Sequence, residues 1–134
     1  MFIPVSGPSG MGELQRCLIL AAEAERRWPS LAVSFVVHRH VAKAIPARYR
    51  LYALDDRPTR RTKAVIAALH EFRPGVAVFD GAARVAQLRA ARRLGCRTVF
   101  VSSRPSGRRK LFRWRRLRQL DEGWFAQPGF LEPA

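Results

Sequence analysis

Apolar residues along this chain follow two spacings in turn, short runs typical of buried strands and a period of about 3.6 residues typical of helices. The short runs, rich in β-branched and aromatic residues, predict strands at Phe2–Ser6, Ala32–Val37, Tyr49–Leu54, Val76–Phe79 and Thr98–Val101, with Gly123–Ala126 as a candidate sixth. The helical period predicts an amphipathic helix from the first loop to Pro29, a short helix at Val41–Ile45, and helices at Thr59–Phe72, Ala83–Leu94 and Arg108–Leu120. Gly95 stands directly after one of these helices, at the position that favours a left-handed residue.

Strands that alternate with helices predict an α/β fold, a single doubly wound, Rossmann-like domain with a mostly parallel sheet of five or six strands. The chain has 134 residues, of which 48% are hydrophobic, so we assign residues 1–134 to this one domain. No internal repeat or low-complexity tract interrupts the pattern.

Ligands of such sheets bind outside the carboxyl ends of the strands, near the point where the strand order reverses. This topology predicts a site built from the residues that follow the strands, namely Gly7–Glu13, His38–His40, Asp80–Gly81, Ser102, Ser103 and Arg104. The histidines receive no role here, because histidines at strand ends are commonly loop residues that are solvated or hydrogen-bonded.

The loop after the first strand is the most informative of these segments. It carries three glycines within six residues, and the helix that follows offers unpaired N–H groups and the positive end of its dipole. These features suit a phosphate or an oxyanion, so the predicted contacts to phosphate or acceptor are Gly7, Ser9, Gly10, Met11, Gly12, Arg16, Ser102, Ser103 and Arg104. Each feature also has an interpretation without a ligand: the loop is a turn that merely needs glycine, and Arg16 is a solvated surface charge.

The glycine spacing argues against the common nucleotide-binding motifs. A P-loop needs Gly-Lys-Ser or Gly-Lys-Thr, whereas Gly12 is followed by Glu13-Leu14. A dinucleotide fingerprint has the order G-x-G-x-x-G and an acid after the second strand, whereas this loop has the order G-x-x-G-x-G and the second strand leads into His38-Arg39-His40. No cofactor is therefore predicted, although Arg39 leaves NADP open through its 2′-phosphate.

Cysteine usage and hydropathy indicate the compartment. Cys17 and Cys96 each lie inside an apolar element, far apart in sequence, which favours buried thiols in a reducing compartment over a disulfide or a metal site. No apolar run reaches the roughly twenty residues that a membrane span needs, and no basic leader precedes the first apolar stretch. We expect a cytoplasmic protein without a bound metal.

The net charge of +15 is concentrated in one segment. Eight basic residues fall between Arg104 and Arg118 with no acid among them, around an apolar stripe that includes Trp114. The segment is interpreted either as a core-facing amphipathic helix with a charged outer face, or as a contact to an anionic membrane surface through Arg108, Arg109, Lys110, Arg113, Trp114 and Arg116. Nucleic acid is the weaker alternative partner, because no recognition motif accompanies the charge.

The first loop and helix also resemble a known family. Residues 10–21, Gly-Met-Gly-Glu-Leu-Gln-Arg-Cys-Leu-Ile-Leu-Ala, are similar to the G-x-G-H-x-x-R-C-L-x-L-A stretch of nucleotide-sugar hydrolases of the pseudaminic-acid pathway. Those hydrolases are similar in turn to the GT-B glycosyltransferases related to the lipid II-forming N-acetylglucosaminyltransferase. The strand ends Val78–Asp80 and Val101–Pro105, the Arg-rich helix and the stretch Trp124–Pro128 follow the same order of elements.

The resemblance implies the N-terminal, acceptor-side half of a GT-B-type glycosyltransferase of bacterial-type surface glycan synthesis. It implies a nucleotide-sugar donor, held mainly by a C-terminal domain or partner subunit that this sequence lacks, and a glycan or lipid-linked acceptor. The chain alone is then expected not to transfer sugar. The alternatives are a nucleotide-sugar hydrolase half, and a basic module that binds nucleic acid or an anionic membrane.

Two carboxylates are the predicted catalytic residues. Glu13 stands where the family has the histidine that is placed near the reacting sugar, and a carboxylate can act there as general base for an acceptor hydroxyl. The other interpretation of Glu13 is a partner of the helix dipole. Asp80, at the end of the fourth predicted strand, is the second candidate, because it or Glu13 would position water in the hydrolase alternative.

Overall fold

Strands and helices alternate along the part of the chain that the computed structural model describes, residues 1–8, 10–102 and 118–125. The strands are β1 (Phe2–Pro4), β2 (Ser34–His38), β3 (Arg50–Leu54), β4 (Val76–Asp80), β5 (Arg97–Ser102) and β6 (Glu122–Phe125). The α-helices are α1 (Gly12–Arg27), α2 (Thr62–Phe72) and α3 (Val85–Arg93), and two 3₁₀ helices cover Arg39–Ala44 and Pro58–Arg60. Among the described helices, none combines the length and the hydropathy that a bilayer-spanning segment requires.

The six described strands form one sheet in the order β3-β2-β1-β4-β5-β6, and every neighbouring pair is parallel. This arrangement confirms the predicted doubly wound α/β fold and its sixth strand, and the described sheet is parallel throughout. The chain starts in the middle of the sheet, runs out to β3, and returns through α2 to place β4 beside β1. The strand order therefore reverses between β1 and β4, which is where open α/β sheets bind ligands.

Two apolar layers hold the helices against the sheet. Consecutive residues of a strand face opposite sides, so Phe2 packs in one layer with Leu14 of α1, while Ile3 packs in the other with Leu69 of α2 and Leu88 of α3. Because both faces of the central strands are covered, these strands appear in the sequence as continuous apolar runs.

The helix predicted at Thr59–Phe72 begins later than the apolar pattern indicates. Residues Pro58–Arg60 form a 3₁₀ helix, and α2 starts only at Thr62. The side-chain amide of buried Gln87 in α3 donates to the carbonyl of Pro58 at 2.9 Å. The same carbonyl accepts the backbone N–H of Arg61 at 3.1 Å, so this turn closes as a 3₁₀ turn and also contacts a distant helix.

Three other predicted helix features have different outcomes. The segment predicted as a helix at Val41–Ile45 is a 3₁₀ helix over Arg39–Ala44. Gly95 has a φ of +76° directly after the C-cap of α3, so the predicted left-handed residue is confirmed. The predicted helix Arg108–Leu120 lies outside the described residues except for its last three, which lead into β6 without helical structure.

Candidate functional site

The loop between β1 and α1 closes on itself. The N–H of Gly7 donates to the carbonyl of Gly10 at 3.2 Å, and the N–H of Gly10 donates back to the carbonyl of Gly7 at 3.2 Å. The amides of both glycines are engaged within the turn, so a ligand at this loop must find its N–H donors elsewhere.

Open donors follow in the first turn of α1. The N–H of Leu14 donates to Ser6 Oγ at 2.9 Å, which satisfies one of the amides at the helix start. Within the described part of the chain, the N–H groups of Met11, Gly12 and Glu13 have no acceptor. Met11 and Gly12 are exposed, so these amides and the helix dipole present a positive surface to solvent.

The glycines at this edge of the sheet differ in whether the fold needs them. A Cβ on Gly10 or on Gly12 would meet no heavy atom within 4 Å, and neither residue has a positive φ. A Cβ on Gly81 would lie 2.5 Å from Val5 Cγ2, and the φ of Gly81 is +95°. Packing and backbone conformation therefore require glycine at Gly81, whereas the missing side chains of Gly10 and Gly12 leave the start of α1 uncovered.

The Glu13 carboxylate lies in the gap between the ends of β1 and β4. Its Oε2 accepts a hydrogen bond from Ser6 Oγ at 3.2 Å, and its Oε1 is 3.6 Å from the Cβ position of Gly81. The Ser6 hydroxyl also accepts from Leu14 N–H, so one hydroxyl ties the helix start to the carboxylate. Glu13 is half-buried, which holds its side chain in place while part of it stays accessible.

A buried ion pair joins α1 to the end of β4. Asp80 is fully buried, and the Arg16 guanidinium donates to both of its oxygens, through Nε to Oδ2 at 2.8 Å and through a terminal nitrogen to Oδ1. The Cys17 thiol lies 3.5 Å from Oδ2 as a third donor. Burial raises the pKa of Asp80 against the opposing effect of Arg16, and the hydrogen bond to Asp80 raises the pKa of Arg16. Because both carboxylate oxygens are occupied, Asp80 acts in this geometry as an anchor for Arg16.

The ends of three strands meet at this edge. Val5 N–H donates to the Asp80 carbonyl at 3.0 Å, and Gly81 N–H donates to the Val101 carbonyl at 2.8 Å. The prediction that Asp80 lies at the same edge as the glycine loop is confirmed. Ser102, the last residue of β5, ends at this edge as well and is buried.

The structure thus brings the loop glycines, Met11, Glu13, Arg16, Asp80 and Ser102 to one edge of the sheet. The remaining predicted site residues lie outside the described ranges, namely Ser9, Ser103 and Arg104 of the ligand set, and Arg108, Arg109, Lys110, Arg113, Trp114 and Arg116 of the membrane-surface set. Their roles stay predictions.

Ser6 is a site residue that the sequence analysis missed. A serine that caps a helix normally bonds to an amide two or three residues further on, whereas Ser6 bonds to Leu14, eight residues away. This spacing leaves no local signal, and only the folded loop brings the hydroxyl to the first turn of α1.

His38 lies buried at the end of β2, beside the glycine loop. Its Nδ1 accepts a hydrogen bond from the N–H of His40 at 3.0 Å. Burial lowers the pKa of His38. The nearby His40, Arg39 and Arg57 lower it further, whereas Asp56 raises it. The imidazole is therefore neutral at pH 7, with Nδ1 as acceptor and its hydrogen on Nε2.

A cavity of about 540 Å³ lies at the opposite, amino-terminal edge of the sheet. Trp28, Leu31, Val76 and Trp124 line it together with other apolar residues and with Met1, whose N-terminal amine donates to the Val76 carbonyl at 2.9 Å. Elsewhere in residues 1–8, 10–102 and 118–125, no three His, Cys, Asp or Glu side chains converge as a metal site. The carboxylates Glu13 and Asp80 and the guanidinium of Arg16 lie at the other edge, which carries the glycine loop.

Comparison of the chain with protein-family models, with curated proteins and with solved structures gives no match in any of the three. A functional assignment therefore depends on the geometry of this edge of the sheet and on the resemblance of residues 10–21.

Proposed function

We propose that this chain is the acceptor-side domain of a GT-B-type glycosyltransferase of bacterial-type surface glycan synthesis. One observation carries the proposal: Gly10 and Gly12 leave the open amides of α1 uncovered beside the Glu13 carboxylate, where the order of the strands reverses. Neither glycine is needed by the backbone or by packing, so the space beside the amides is available to a ligand. The same stretch carries the resemblance to GT-B proteins.

Two kinds of group at this position suit an acceptor sugar. An acceptor hydroxyl donates to the Glu13 carboxylate, and the amides of Met11 and Gly12 donate to a neighbouring oxygen of the acceptor. In the transfer step, the acceptor oxygen bonds to the anomeric carbon of the nucleotide sugar, the bond from that carbon to the diphosphate breaks, and the hydroxyl proton passes to Glu13. A general base of this kind contributes about 10²–10⁴ in rate.

Arg16 and Asp80 are positioning residues in this proposal. The Asp80 carboxylate is enclosed and holds the Arg16 guanidinium, whose side chain is 21% exposed. The pair fixes the first turns of α1 against the end of β4, and Glu13 lies in the first of those turns. The pair therefore supports the orientation of Glu13 relative to the two strand ends.

The other participants follow from the GT-B arrangement. The proposed donor is a nucleotide sugar bound mainly by a second domain or subunit, and the proposed acceptor is a glycan or a lipid-linked glycan. We place the reaction on the cytoplasmic side of the membrane, with residues 108–116 as the contact to anionic lipid. A nucleotide-sugar hydrolase half would use Glu13 to position water in place of the acceptor hydroxyl.

Replacing Gly12 with alanine is expected to weaken acceptor binding without weakening the fold. The new methyl group meets no atom of the protein but stands beside the open amides. Alanine is also the better helix former, so the free energy of unfolding should stay level or rise by up to about 1 kcal/mol. We expect the Kd of a bound sugar to rise about tenfold, the loss of roughly one hydrogen bond. Saturation-transfer NMR with methyl glycosides and sugar phosphates identifies the ligand, and calorimetry measures its Kd.

Gly75→Ala is the matched control. A Cβ on Gly75 also meets nothing within 4 Å, and Gly75 precedes β4 at the opposite edge of the sheet. Equal affinities of the Gly12→Ala and Gly75→Ala proteins for the same sugar would contradict a ligand at this loop.

The purified chain alone is expected to show no transfer from any nucleotide sugar. Transfer needs a donor held in line with the acceptor and stabilisation of the leaving diphosphate, which the GT-B arrangement assigns mainly to the second domain. Product formation is followed by mass spectrometry, with Glu13→Gln as the control. Turnover by the chain alone, lost in Glu13→Gln, would replace the half-enzyme proposal with that of a complete enzyme.

A further inference from the structure

The two histidines at the end of β2 are in direct contact. His38 is buried and His40 is exposed, and the centroids of their rings are 4.7 Å apart. The Nδ1 atoms of the two rings are 3.2 Å apart. The same Nδ1 of His38 accepts a hydrogen bond from the backbone N–H of His40 at 3.0 Å. One nitrogen of His38 therefore faces two nitrogens of His40.

This contact holds the start of the 3₁₀ helix over Arg39–Ala44. His38 is the N-cap of that helix, and its side chain supplies the acceptor for the N–H of His40. No other described residue accepts from this N–H. Further along the helix, Val41 is buried in the apolar core. The exposed start of the helix thus depends on the His38 imidazole, whereas packing holds the rest.

The two contacts determine where the imidazole hydrogens lie at pH 7. A neutral imidazole nitrogen without a hydrogen has one lone pair, and that of His38 Nδ1 faces the backbone N–H of His40. The contact between the two Nδ1 atoms is then a hydrogen bond in which His40 Nδ1 donates. His38 carries its hydrogen on Nε2, and His40 carries one on Nδ1. Both donors of His40 therefore share a lone pair that exists only while His38 is neutral.

Protonation of His38 reverses this arrangement. Its Nδ1 then carries a hydrogen that points at the backbone N–H of His40, so a donor faces a donor. The ring of His40 can accept the new hydrogen if its own hydrogen moves to Nε2, but the backbone N–H cannot. That N–H must then bind water, which requires the exposed residues 39 and 40 to turn outward. A protonated His38 and a closed helix start thus exclude one another.

Charges from two turns act on the His38 imidazole. The register pairs His38 with Leu54, the last residue of β3, so the turn that follows β3 lies alongside. The groups that face the imidazole are Arg39 and His40 from its own turn, and Asp56 and Arg57 from the turn after β3. Burial, the two arginines and His40 disfavour the imidazolium form, whereas Asp56 favours it. Asp56 also accepts a hydrogen bond from the N–H of Arg57 at 2.7 Å, which holds its carboxylate in this turn.

We propose that His38 is a pH-sensitive switch, which closes the start of this 3₁₀ helix when it is neutral and opens it when it is protonated. The closed state resists protonation, so it is favoured above the ordinary histidine pKa of about 6.5 and is lost as the pH falls further. Until the pH reaches the pKa of the closed state, each unit of acidification raises the ratio of open to closed protein up to about tenfold. Because β2 lies next to β1, the switch changes the surface beside the glycine loop. The switch does not depend on the proposed function.

NMR tests the switch in the wild-type protein, whose three histidines give few imidazole signals to assign. At pH 7 the imidazole signals should show the hydrogen of His38 on Nε2. A nitrogen–nitrogen coupling across the hydrogen bond should join His38 Nδ1 to the backbone nitrogen of His40, and it should disappear as His38 titrates. A coupling that is absent at pH 7, that persists after His38 is protonated, or that follows the titration of His40 alone would overturn the switch.

Hydrogen exchange of the His40 amide gives an independent measurement. His38→Asn places Oδ1 where the histidine has Nδ1, so it keeps an acceptor that does not titrate, and asparagine is a favoured N-cap residue. In the wild-type protein, the exchange rate relative to that of an unstructured peptide should rise about tenfold or more between pH 7 and pH 5. In His38→Asn this ratio should change by less than about twofold. Equal acid-dependent rises in the two proteins would overturn the switch.

Two further substitutions test the assignment to His38. His70→Asn is the matched control, because it removes the exposed histidine in the last turn of α2 and should leave the acid-dependent rise intact. Asp56→Asn removes the acid that favours protonation of His38 but keeps an oxygen for the N–H of Arg57, so it should move the opening to lower pH. A rise that is lost in His70→Asn, or an opening pH that is unchanged or higher in Asp56→Asn, would overturn the assignment.

Discussion

Replacing Arg16 with methionine is expected to lower the free energy of unfolding by about 3–5 kcal/mol at pH 7. The Asp80 carboxylate is fully buried and takes hydrogen bonds from Arg16 at both oxygens, so the substitution leaves a buried charge without a cation. The donor that remains is the Cys17 thiol at 3.5 Å, which is a weak one. Urea denaturation followed by circular dichroism measures the loss.

The pH dependence of this stability loss tests whether the buried charge of Asp80 causes it. Burial raises the pKa of Asp80 in the folded protein, and without Arg16 only the weak hydrogen bond from the Cys17 thiol opposes that effect among the described residues. An aspartate in the unfolded chain has a pKa of about 3.9. As the pH falls from 7, Asp80 of the folded variant is therefore protonated before the same residue of the unfolded chain, which stabilises the folded variant. The difference in stability between the wild-type protein and Arg16→Met should therefore shrink on acidification. A difference that stays constant down to pH 4 would assign the loss to packing of the arginine stem.

The double variant Arg16→Met/Asp80→Asn is the control for this interpretation. It removes both charges while an amide of similar shape keeps the position of Asp80. Replacing a buried ion pair by neutral groups is often nearly neutral in stability, so the double variant should be more stable at pH 7 than Arg16→Met alone. A double variant that is no more stable than Arg16→Met would contradict a charge effect.

Replacing Gly81 with alanine is expected to lower the free energy of unfolding by about 2–4 kcal/mol, from backbone strain and overpacking together. The φ of +95° is unfavourable for any side chain, and the new Cβ would lie 2.5 Å from Val5 Cγ2 and 3.2 Å from Glu13 Cγ. Relief of these contacts must displace the Glu13 side chain or the end of β1. We therefore expect sugar binding at the loop to weaken in the same variant, measured by calorimetry under conditions where the protein is folded.

Gly95→Ala separates strain from overpacking. Gly95 also has a positive φ, +76°, but a Cβ there would meet no heavy atom within 4 Å. It should lose only the strain contribution of about 1–2 kcal/mol, and its sugar binding should match that of the wild-type protein. Equal losses of unfolding free energy in Gly95→Ala and Gly81→Ala would mean that the contacts of the new Cβ at position 81 with Val5 and Glu13 do not destabilise the protein.

The elements and their order could be predicted from the sequence because the central strands are buried on both faces. Val36 and Val37 are consecutive residues of β2, and both have 0% exposure, so the strand appears as an uninterrupted apolar run. Alternation with helices then leaves a parallel, doubly wound sheet as the consistent topology. The position of Asp80 beside the glycine loop followed from that topology alone, since parallel strands end at the same edge.

The start of α2 was predicted less well. The pattern of apolar residues extends α2 back to Thr59, but residues Pro58–Arg60 form a 3₁₀ turn, whose Pro58 carbonyl accepts both the N–H of Arg61 and the side-chain amide of Gln87, 29 residues further on. A period of apolar positions reports which face of a helix is buried. It carries no information on which backbone groups are bound by another helix.

That the glycines, Glu13 and Arg16 lie together in one loop and the start of one helix could be predicted, because these residues are neighbours in the chain. What each of these residues contacts depends on the folded chain. Asp80, which is 64 residues from Arg16 in the sequence, accepts hydrogen bonds from its guanidinium. The side chain of Arg57 fills the space beside Gly7. Gly10 and Gly12 carry the same local signal as Gly7, but nothing in the fold lies where their side chains would be. A glycine in a sequence shows only that a Cβ is missing, because the residues that occupy the space beside it come from distant parts of the chain.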